Sequence, residues 1–230
     1  MPMPDKTTDM AGVITLIPDG ASIMVGGFGV PGSPFCLIEE LVRQGQKNLT
    51  IIKNDSNEAG MGVDWLLQSG QVKKLITSHI GLNPNAVRLM NEGLIEVEFV
   101  AQGILAERIR VAGAGLMGFV TDIGMGTPLA EGKQRVTFEG KEGIFEPALK
   151  ADFALVHADT ADPFGNLTFN ATARNFNPLI AMAARCTIAE AERVVPLGKI
   201  DPGHVQTPAP FVDHVVALPD LPEVYGIVER

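Results

Sequence analysis

Residues 26–29, Gly-Gly-Phe-Gly, form the segment best suited to bind a ligand, and they follow directly on an apolar run that ends at Val25. Glycine adopts positive φ and has no Cβ, so a ligand can approach the main chain closely at such a turn. Ser33 and Pro34 then have the residue types of a helix N-cap and a first helical position. A strand, a bare loop and a helix N-terminus in this order favour binding of an anionic or carbonyl oxygen.

Residues 26–29 alone leave two interpretations open. Glycine-rich strand ends are common in α/β proteins, and this segment lacks the G-x-G-x-x-G spacing and the later acidic residue of the dinucleotide fingerprint. A binding turn and a purely structural turn are therefore both possible. The four histidines, His79, His157, His204 and His214, lack metal-ligand spacing, so we expect no metal site. His79 ends a predicted strand and could line a site, although a structural imidazole is the alternative.

Composition argues against several classes of function. A net charge of −9 disfavours nucleic acid and anionic membranes, because both are held by basic patches. The two cysteines, Cys36 and Cys186, are too few and too far apart for a disulfide framework or a zinc site, and we expect them to be reduced. No run approaches the ~20 apolar residues of a membrane span. The N-terminus lacks the apolar stretch of a signal peptide, which indicates a cytoplasmic protein.

The elements that must position the glycines follow an α/β pattern. Strand-like runs at 23–26, 49–53, 74–78 and 95–100 alternate with helical patterns at 35–44, 65–68, 85–91 and 105–111. A β-hairpin is predicted at 135–145, after which strands at 152–157, 167–169, 187–189 and 212–217 surround a helix near 177–184. We predict a mostly parallel sheet flanked by helices, with a small β-hairpin excursion. One domain should cover residues 1–218, followed by a C-terminal tail at 219–230.

The sixteen residues from Asp19 to Pro34 resemble the signature of the alpha (A) subunit of the family I CoA-transferases, the 3-oxoacid CoA-transferases. Residues 101–110 are similar to that family's P-Q-G-x-L-A-E-R-I-R, with Ala101 in place of the usual proline. Further similar segments lie at 49–55, 112–115, 124–127, 165–169 and 173–177. The resemblance extends from about Ile17 to Ala217 and implies the family I fold.

The resemblance also implies that this chain is one half of an enzyme. In the family, a glutamate on the beta (B) subunit first attacks an acyl-CoA thioester, and the CoA passes through a glutamyl–CoA thioester to a second acid. That glutamate lies in a Ser-Glu-Asn-Gly-like motif, which this chain lacks. Four acids stand near glycines but lack the flanking residues, and we interpret them as turn or surface groups: Glu58, Glu92, Glu131 and Glu142. The expected partner is a CoA-transferase beta subunit, in an A2B2 assembly.

Site residues are carried over from the family onto matching positions. Asn54, at the carboxyl end of a predicted strand, would stabilise the oxyanion of the thioester, although capping of the following turn is the alternative. Gln102 would hold the carboxylate or 3-oxo group of the acid, or stabilise a turn. The wall around the reacting centre would consist of Gly26, Gly27, Phe28 and Gly29. A side chain at Gly27 should obstruct substrate, and Phe28 should exclude water.

No permanently bound cofactor is expected, since the coenzyme A thioester is itself the substrate. The family implies succinyl-CoA or acetyl-CoA as donor and a short acid such as acetoacetate as acceptor. A 3-oxoadipate CoA-transferase remains an alternative at this point. A non-catalytic small-molecule-binding module of the same fold is a further alternative, because a fold alone does not determine function.

Overall fold

Alternating apolar runs and amphipathic segments build two sheets in the computed structural model, which describes residues 4–220. The helices are α1 (Met10–Ile14), α2 (Phe35–Gln44), α3 (Val63–Gln68), α4 (Pro84–Asn91), α5 (Gln102–Gly113) and α6 (Asn177–Ala183). The first strands are β1 (Ser22–Val25), β2 (Leu49–Ile52), β3 (Val72–Thr77), β4 (Glu96–Phe99), β5 (Gly118–Thr121), β6 (Arg135–Phe138) and β7 (Lys141–Pro147). The remaining strands are β8 (Ala151–Ala161), β9 (Leu167–Thr168), β10 (Ala184–Val194) and β11 (His214–Ala217).

The large sheet has the strand order β11-β10-β8-β1-β2-β3-β4, with β9 paired to β8. All pairings on this path are parallel, whereas β9 runs antiparallel to β8. The chain builds outwards from β1 through β4 and then returns to the other side of β1 with β8. Ligands of open α/β sheets bind where the strand order reverses, outside the carboxyl ends of the strands. Here that place is the end of β1, where residues 26–29 begin.

The central strand β1 is buried on both faces. Ile23 and Val25 pack into one apolar cluster with α2 and α3, while Met24 packs into a second cluster with α5 and α6. Successive side chains of a strand point to opposite faces, so a continuous apolar run is what a doubly covered strand requires. This burial anchors the strand from which the glycine loop extends.

The predicted α/β architecture is confirmed, with differences in detail. The excursion is a three-stranded antiparallel sheet in the order β5-β7-β6, because β5 adds a strand to the predicted hairpin. The short helix α1 was not predicted, since its five residues are too few to show a period. The predicted tail at 219–230 lies outside the described residues except for 219 and 220. The single-domain boundary at 218 stays a prediction.

The expected cap of α2 is wrong. Pro34 occupies the N-cap position without a side-chain cap bond, and the Ser33 hydroxyl donates instead to the Gly29 carbonyl at 2.7 Å. The buried carboxylate of Glu190, on β10, accepts the Leu37 N–H at 2.8 Å. A carboxylate suits the positive end of the helix dipole. This helix N-terminus is therefore occupied by the protein's own anion.

Candidate active site

The glycine loop, residues 26–29, has its conformation dictated by close packing. Gly27 has φ +95°, and a Cβ there would lie 2.6 and 2.7 Å from the backbone N and Cα of Ser33. A Cβ on Gly26 would overlap the side chain of Asn177. That amide donates to the Gly32 carbonyl at 3.0 Å. The loop thus needs these glycines for its own packing, a reason separate from ligand approach.

Gly29 is held by the polar segment that follows β2. Its N–H donates to Asp55 Oδ2 at 2.9 Å, and its carbonyl accepts from Asn57 Nδ2 at 2.9 Å. The Ser33 hydroxyl bonds the same carbonyl. With both backbone groups of Gly29 satisfied, the end of the loop has one defined position.

The carboxylate that holds Gly29 belongs to a buried ion pair. Lys53 Nζ lies 2.9 Å from Asp55 Oδ1, and the two side chains are 0% and 8% exposed. Burial alone would raise the pKa of Asp55, but the Lys53 charge and the N–H groups of Gly29 and Asn57 outweigh it, so this pKa lies below its ordinary value. Burial lowers the pKa of Lys53, opposed by Asp55. Asp55 is therefore an ionised, fully engaged anchor.

Asn54 lies between this pair and β3. Its amide Nδ2 donates to Asp55 Oδ2 at 3.2 Å. The Ser78 hydroxyl donates to the Asn54 backbone carbonyl at 2.6 Å and also lies 3.1 Å from Asn54 Oδ1. The side chain is buried, with the residue 1% exposed. Asp55 Oδ2 also accepts the Gly29 N–H, so the Asn54 amide and the end of the glycine loop are bonded to the same oxygen. The structure thus brings Asn54 and the loop together, as the sequence predicted for their strand ends.

A small cavity of about 80 Å³ opens beside the loop. It is lined by Phe28, Gly29, Val30, Asp55, Ser56, Asn57, Glu58, Met61, His79, Ile80 and Leu82. Phe28 is 46% exposed. Gln102 begins α5 after β4, is exposed, and is not among the lining residues. The structure therefore places Phe28 and Gly29 at the cavity, whereas the other predicted site residues are not in its lining: Gly26, Gly27, Asn54 and Gln102. Gln102 lies two strands away from Asn54 along the same sheet edge.

A buried acid–imidazole chain lies behind the loop. His157, on β8, is bonded through Nδ1 to Glu190 Oε1 at 2.8 Å and through Nε2 to Glu192 Oε1 at 3.1 Å. Glu190 also caps α2, and the His157 N–H donates to Asn177 Oδ1 at 3.3 Å. These contacts were not predicted from the sequence. The available signal was the pattern of acids at alternate positions, 190 and 192, next to the apolar run 188–189.

The stability of the protein should depend on pH through His157. Burial lowers its pKa, but the hydrogen bonds and charges of Glu190 and Glu192 outweigh burial, so the pKa lies above the ordinary value of 6.5. The ion pairs of the protonated imidazole therefore stabilise the folded protein fully below pH 6.5, and this stabilisation is lost as the pH rises through the raised pKa of His157. Over that interval the free energy of unfolding should fall by up to about 1.4 kcal/mol per pH unit.

Thermal unfolding between pH 6 and 9 would measure the effect. His157→Gln should remove the slope, while His204→Gln, at an exposed histidine, should keep it. An equal slope in wild type and His157→Gln would contradict the assignment.

Within residues 4–220, no three His, Cys, Asp or Glu side chains are arranged to bind a metal ion. None of the described helices has the length and apolar character needed to cross a bilayer. Both cysteines are free and half-buried, and burial raises the pKa of Cys36 to about 12 and that of Cys186 to about 11.

The parallel sheet, the glycine loop at its switch point and the fixed amide beside it match a known group of proteins. The chain belongs to the coenzyme A transferase family, whose model matches residues 7–218. This confirms the resemblance found from residues 19–34 and the later segments.

Relatives match over nearly the full length. The chain is 46% identical over 198 residues to the alpha subunit of the acetate CoA-transferase of Escherichia coli (strain K12), covering 86% of this chain and 90% of that one. It is also 46% identical over 211 residues to the A-type subunit of the 3-oxoadipate CoA-transferase of Acinetobacter baylyi, covering 91% and 92%. Each of these relatives is named as one subunit of its enzyme.

A solved structure agrees with the fold. An acyl-CoA transferase of Escherichia coli O157:H7, in a thioester complex with CoA, has a TM-score of 0.85 and 25% identity to this chain. The match covers 97% of this chain and 49% of that one, so this chain spans about half the length of that protein.

Proposed function

We propose that this chain is the alpha (A) subunit of a cytoplasmic, heteromeric 3-oxoacid CoA-transferase, which acts with a CoA-transferase beta (B) subunit in an A2B2 assembly. The enzyme would move CoA from succinyl-CoA or acetyl-CoA to a short carboxylic acid such as acetoacetate. The coenzyme A thioester is a substrate, and no permanently bound cofactor is required.

One observation carries the proposal: a fixed amide and a glycine loop lie at the switch point, while of the two acids that line the cavity one is ion-paired and the other lacks the Ser-Glu-Asn-Gly-like setting of the family's nucleophile. Among the described residues that line the cavity, the acids are Asp55 and Glu58. Asp55 is paired with Lys53 and accepts two backbone N–H bonds, while Glu58 is exposed. The site provides donors for a developing oxyanion and needs its nucleophile from a partner.

The chemistry then divides between the two subunits. The partner's glutamate attacks the thioester carbonyl and expels CoA thiolate, which leaves an acyl–glutamyl anhydride. The thiolate attacks the glutamyl carbonyl, releases the donor acid and forms the glutamyl–CoA thioester. The acceptor acid takes over the CoA by the reverse steps.

This chain would stabilise and enclose the reacting centre. Asn54 would donate an N–H to the oxyanion, and preorganised donors of this kind contribute ~10²–10³ in rate. Gly26, Gly27 and Gly29 would provide the bare wall, and Phe28 would keep water from the anhydride. Gln102 would hold the carboxylate or 3-oxo group of the acid, since it lies at the same edge of the sheet as Asn54.

The decisive experiment measures CoA transfer from acetyl-CoA or succinyl-CoA to acetoacetate and to 3-oxoadipate, by this chain alone and after co-expression with a glutamate-bearing beta subunit. Activity only in the co-expressed complex supports the split site. Transfer to 3-oxoadipate alone would favour the alternative indicated by the 46% identity to a subunit of a 3-oxoadipate CoA-transferase. No transfer in any combination, with tight binding of another small molecule, would overturn the proposal in favour of a binding module.

A further inference from the structure

We propose that the cavity beside the glycine loop binds the hydrocarbon part of short acyl groups without a second carboxylate, and that Glu58 rejects dicarboxylic acyl groups. The proposal rests on the function proposed above and narrows it. The enzyme would then prefer acetyl-CoA and acetoacetate to succinyl-CoA and 3-oxoadipate. Sequence identity does not decide between these substrates, because the chain is 46% identical both to a subunit of an acetate CoA-transferase and to a subunit of a 3-oxoadipate CoA-transferase.

The size and lining of the cavity fit a short hydrocarbon chain. Five apolar side chains contribute to its wall: Phe28, Val30, Met61, Ile80 and Leu82. A mostly apolar lining with a few polar groups is typical of small-molecule sites. The cavity volume of about 80 Å³ leaves room for a short chain only. Because Gly29 forms part of the wall, a chain in the cavity would extend from a carbonyl placed at the loop.

The charges around the cavity disfavour a distal carboxylate. Within residues 4–220, no lysine or arginine side chain lines it. Lys53 lies behind the wall and is paired with Asp55, so the pair contributes no net charge. Glu58 remains as an exposed acid of the lining. A second carboxylate would lose hydration and meet a like charge, without a lysine or arginine of the lining to compensate.

His79 also contributes to the lining. Its Nδ1 lies 3.0 Å from the Ser78 hydroxyl, and Ser78 in turn bonds the carbonyl of Asn54 at 2.6 Å. The apolar Ile80 follows it in the lining.

The loop that carries Glu58 is held by hydrogen bonds on both sides of this residue, so its backbone has a defined position beside the cavity. Asn57 has φ +56°, and its Oδ1 accepts the Val63 N–H at 3.1 Å. The Gly60 N–H donates to Asp64 Oδ2 at 2.7 Å, and the Gly60 carbonyl accepts from Trp65 Nε1 at 2.7 Å. These bonds tie both sides of the turn to α3. Selectivity against dicarboxylates then follows from a preformed charge.

The test uses the co-expressed complex with acetyl-CoA as donor. Values of kcat/KM are compared for acetoacetate and butyrate against 3-oxoadipate and succinate. Wild type should prefer the two monocarboxylic acids by about 10-fold or more. Glu58→Lys should raise the relative kcat/KM for the dicarboxylic acids by about 10–100-fold, since it replaces repulsion by attraction. Glu131→Lys makes the same charge change at an exposed residue of the excursion and should leave the ratio unchanged.

A second variant tests the apolar wall independently. Met61→Ala enlarges the cavity and should raise kcat/KM for hexanoate relative to butyrate, with little change for acetate. Two results would overturn the inference while the proposed function stands. One is a wild-type preference for 3-oxoadipate, and the other is a Glu58→Lys variant whose ratio of kcat/KM for dicarboxylic to monocarboxylic acids is unchanged. An absence of CoA transfer with every donor and acceptor would instead contradict the proposed function itself.

Discussion

Asp55→Asn is expected to destabilise the protein by about 3–5 kcal/mol, because it leaves the Lys53 ammonium buried without its counter-charge. The Lys53 side chain is 0% exposed and lies 2.9 Å from Asp55, so water cannot replace the lost partner. For a chain of this size the apparent melting temperature should fall by about 6–20 °C. Thermal unfolding of the co-expressed complex measures the change, and a melting temperature within about 2 °C of wild type would contradict it.

The double variant Lys53→Met/Asp55→Leu separates the two roles of Asp55. Replacing a buried ion pair by apolar residues is often neutral or stabilising, so the melting temperature should recover in part, the remaining loss coming from the donors that Asp55 no longer satisfies. The Gly29 N–H, however, would still lack its acceptor, and turnover should stay at least 10-fold below wild type. Recovery of both quantities would show that Asp55 serves to neutralise Lys53 and does not position the loop.

Asn54→Ala should lower kcat by about 10²–10³-fold in the co-expressed complex, as expected for loss of an oxyanion donor. The amide is fixed between Asp55 and Ser78, so its N–H groups need no reorganisation during the reaction. An interaction made in the transition state lowers kcat and kcat/KM equally when it is removed. Steady-state kinetics distinguishes this result from a loss of substrate binding, which would raise KM alone.

Ser78→Ala is the matched control for Asn54. It removes the hydroxyl that bonds the Oδ1 of Asn54 but leaves the amide N–H groups in place. We expect a loss of kcat below about 10-fold, since the bond to Asp55 still orients the amide. Unchanged turnover in Asn54→Ala, with both variants folded and assembled, would remove Asn54 from the catalytic role and leave it as a turn residue.

Local sequence patterns predicted the helices and strand ends that surround the site, because these elements depend on residues close together in the chain. The helix over Phe35–Gln44 was predicted with its observed bounds, since its apolar face is periodic and Gly45 ends it in a left-handed conformation. The glycines at 26–29 and Asn54 were placed at the ends of neighbouring strands, where the parallel sheet does bring them together. For these residues, sequence spacing and spatial position are directly related.

The supports of the site could not be predicted in this way. Asp55 reaches Gly29 across 26 residues, and Glu190 reaches Leu37 across 153. Such bonds depend on which strands become neighbours, and no local period encodes that choice. The error at Ser33 has the same origin, because the acid from β10 takes the role that a local cap would have had. The burial of Lys53 could not be predicted for a related reason, since it arises only once β2 is covered on both faces.

The contact between Gly26 and Asn177 limits how this chain can drift in evolution. A methyl group at 26 would occupy the space of the Asn177 amide, and that amide also bonds Gly32 and the backbone of His157. Neither position can therefore be exchanged alone without disturbing the other, so their effects on fitness should be strongly non-additive. Gly26 and Asn177, 151 positions apart, should therefore be substituted together or not at all. An engineered change at one of them requires a compensating change at the other.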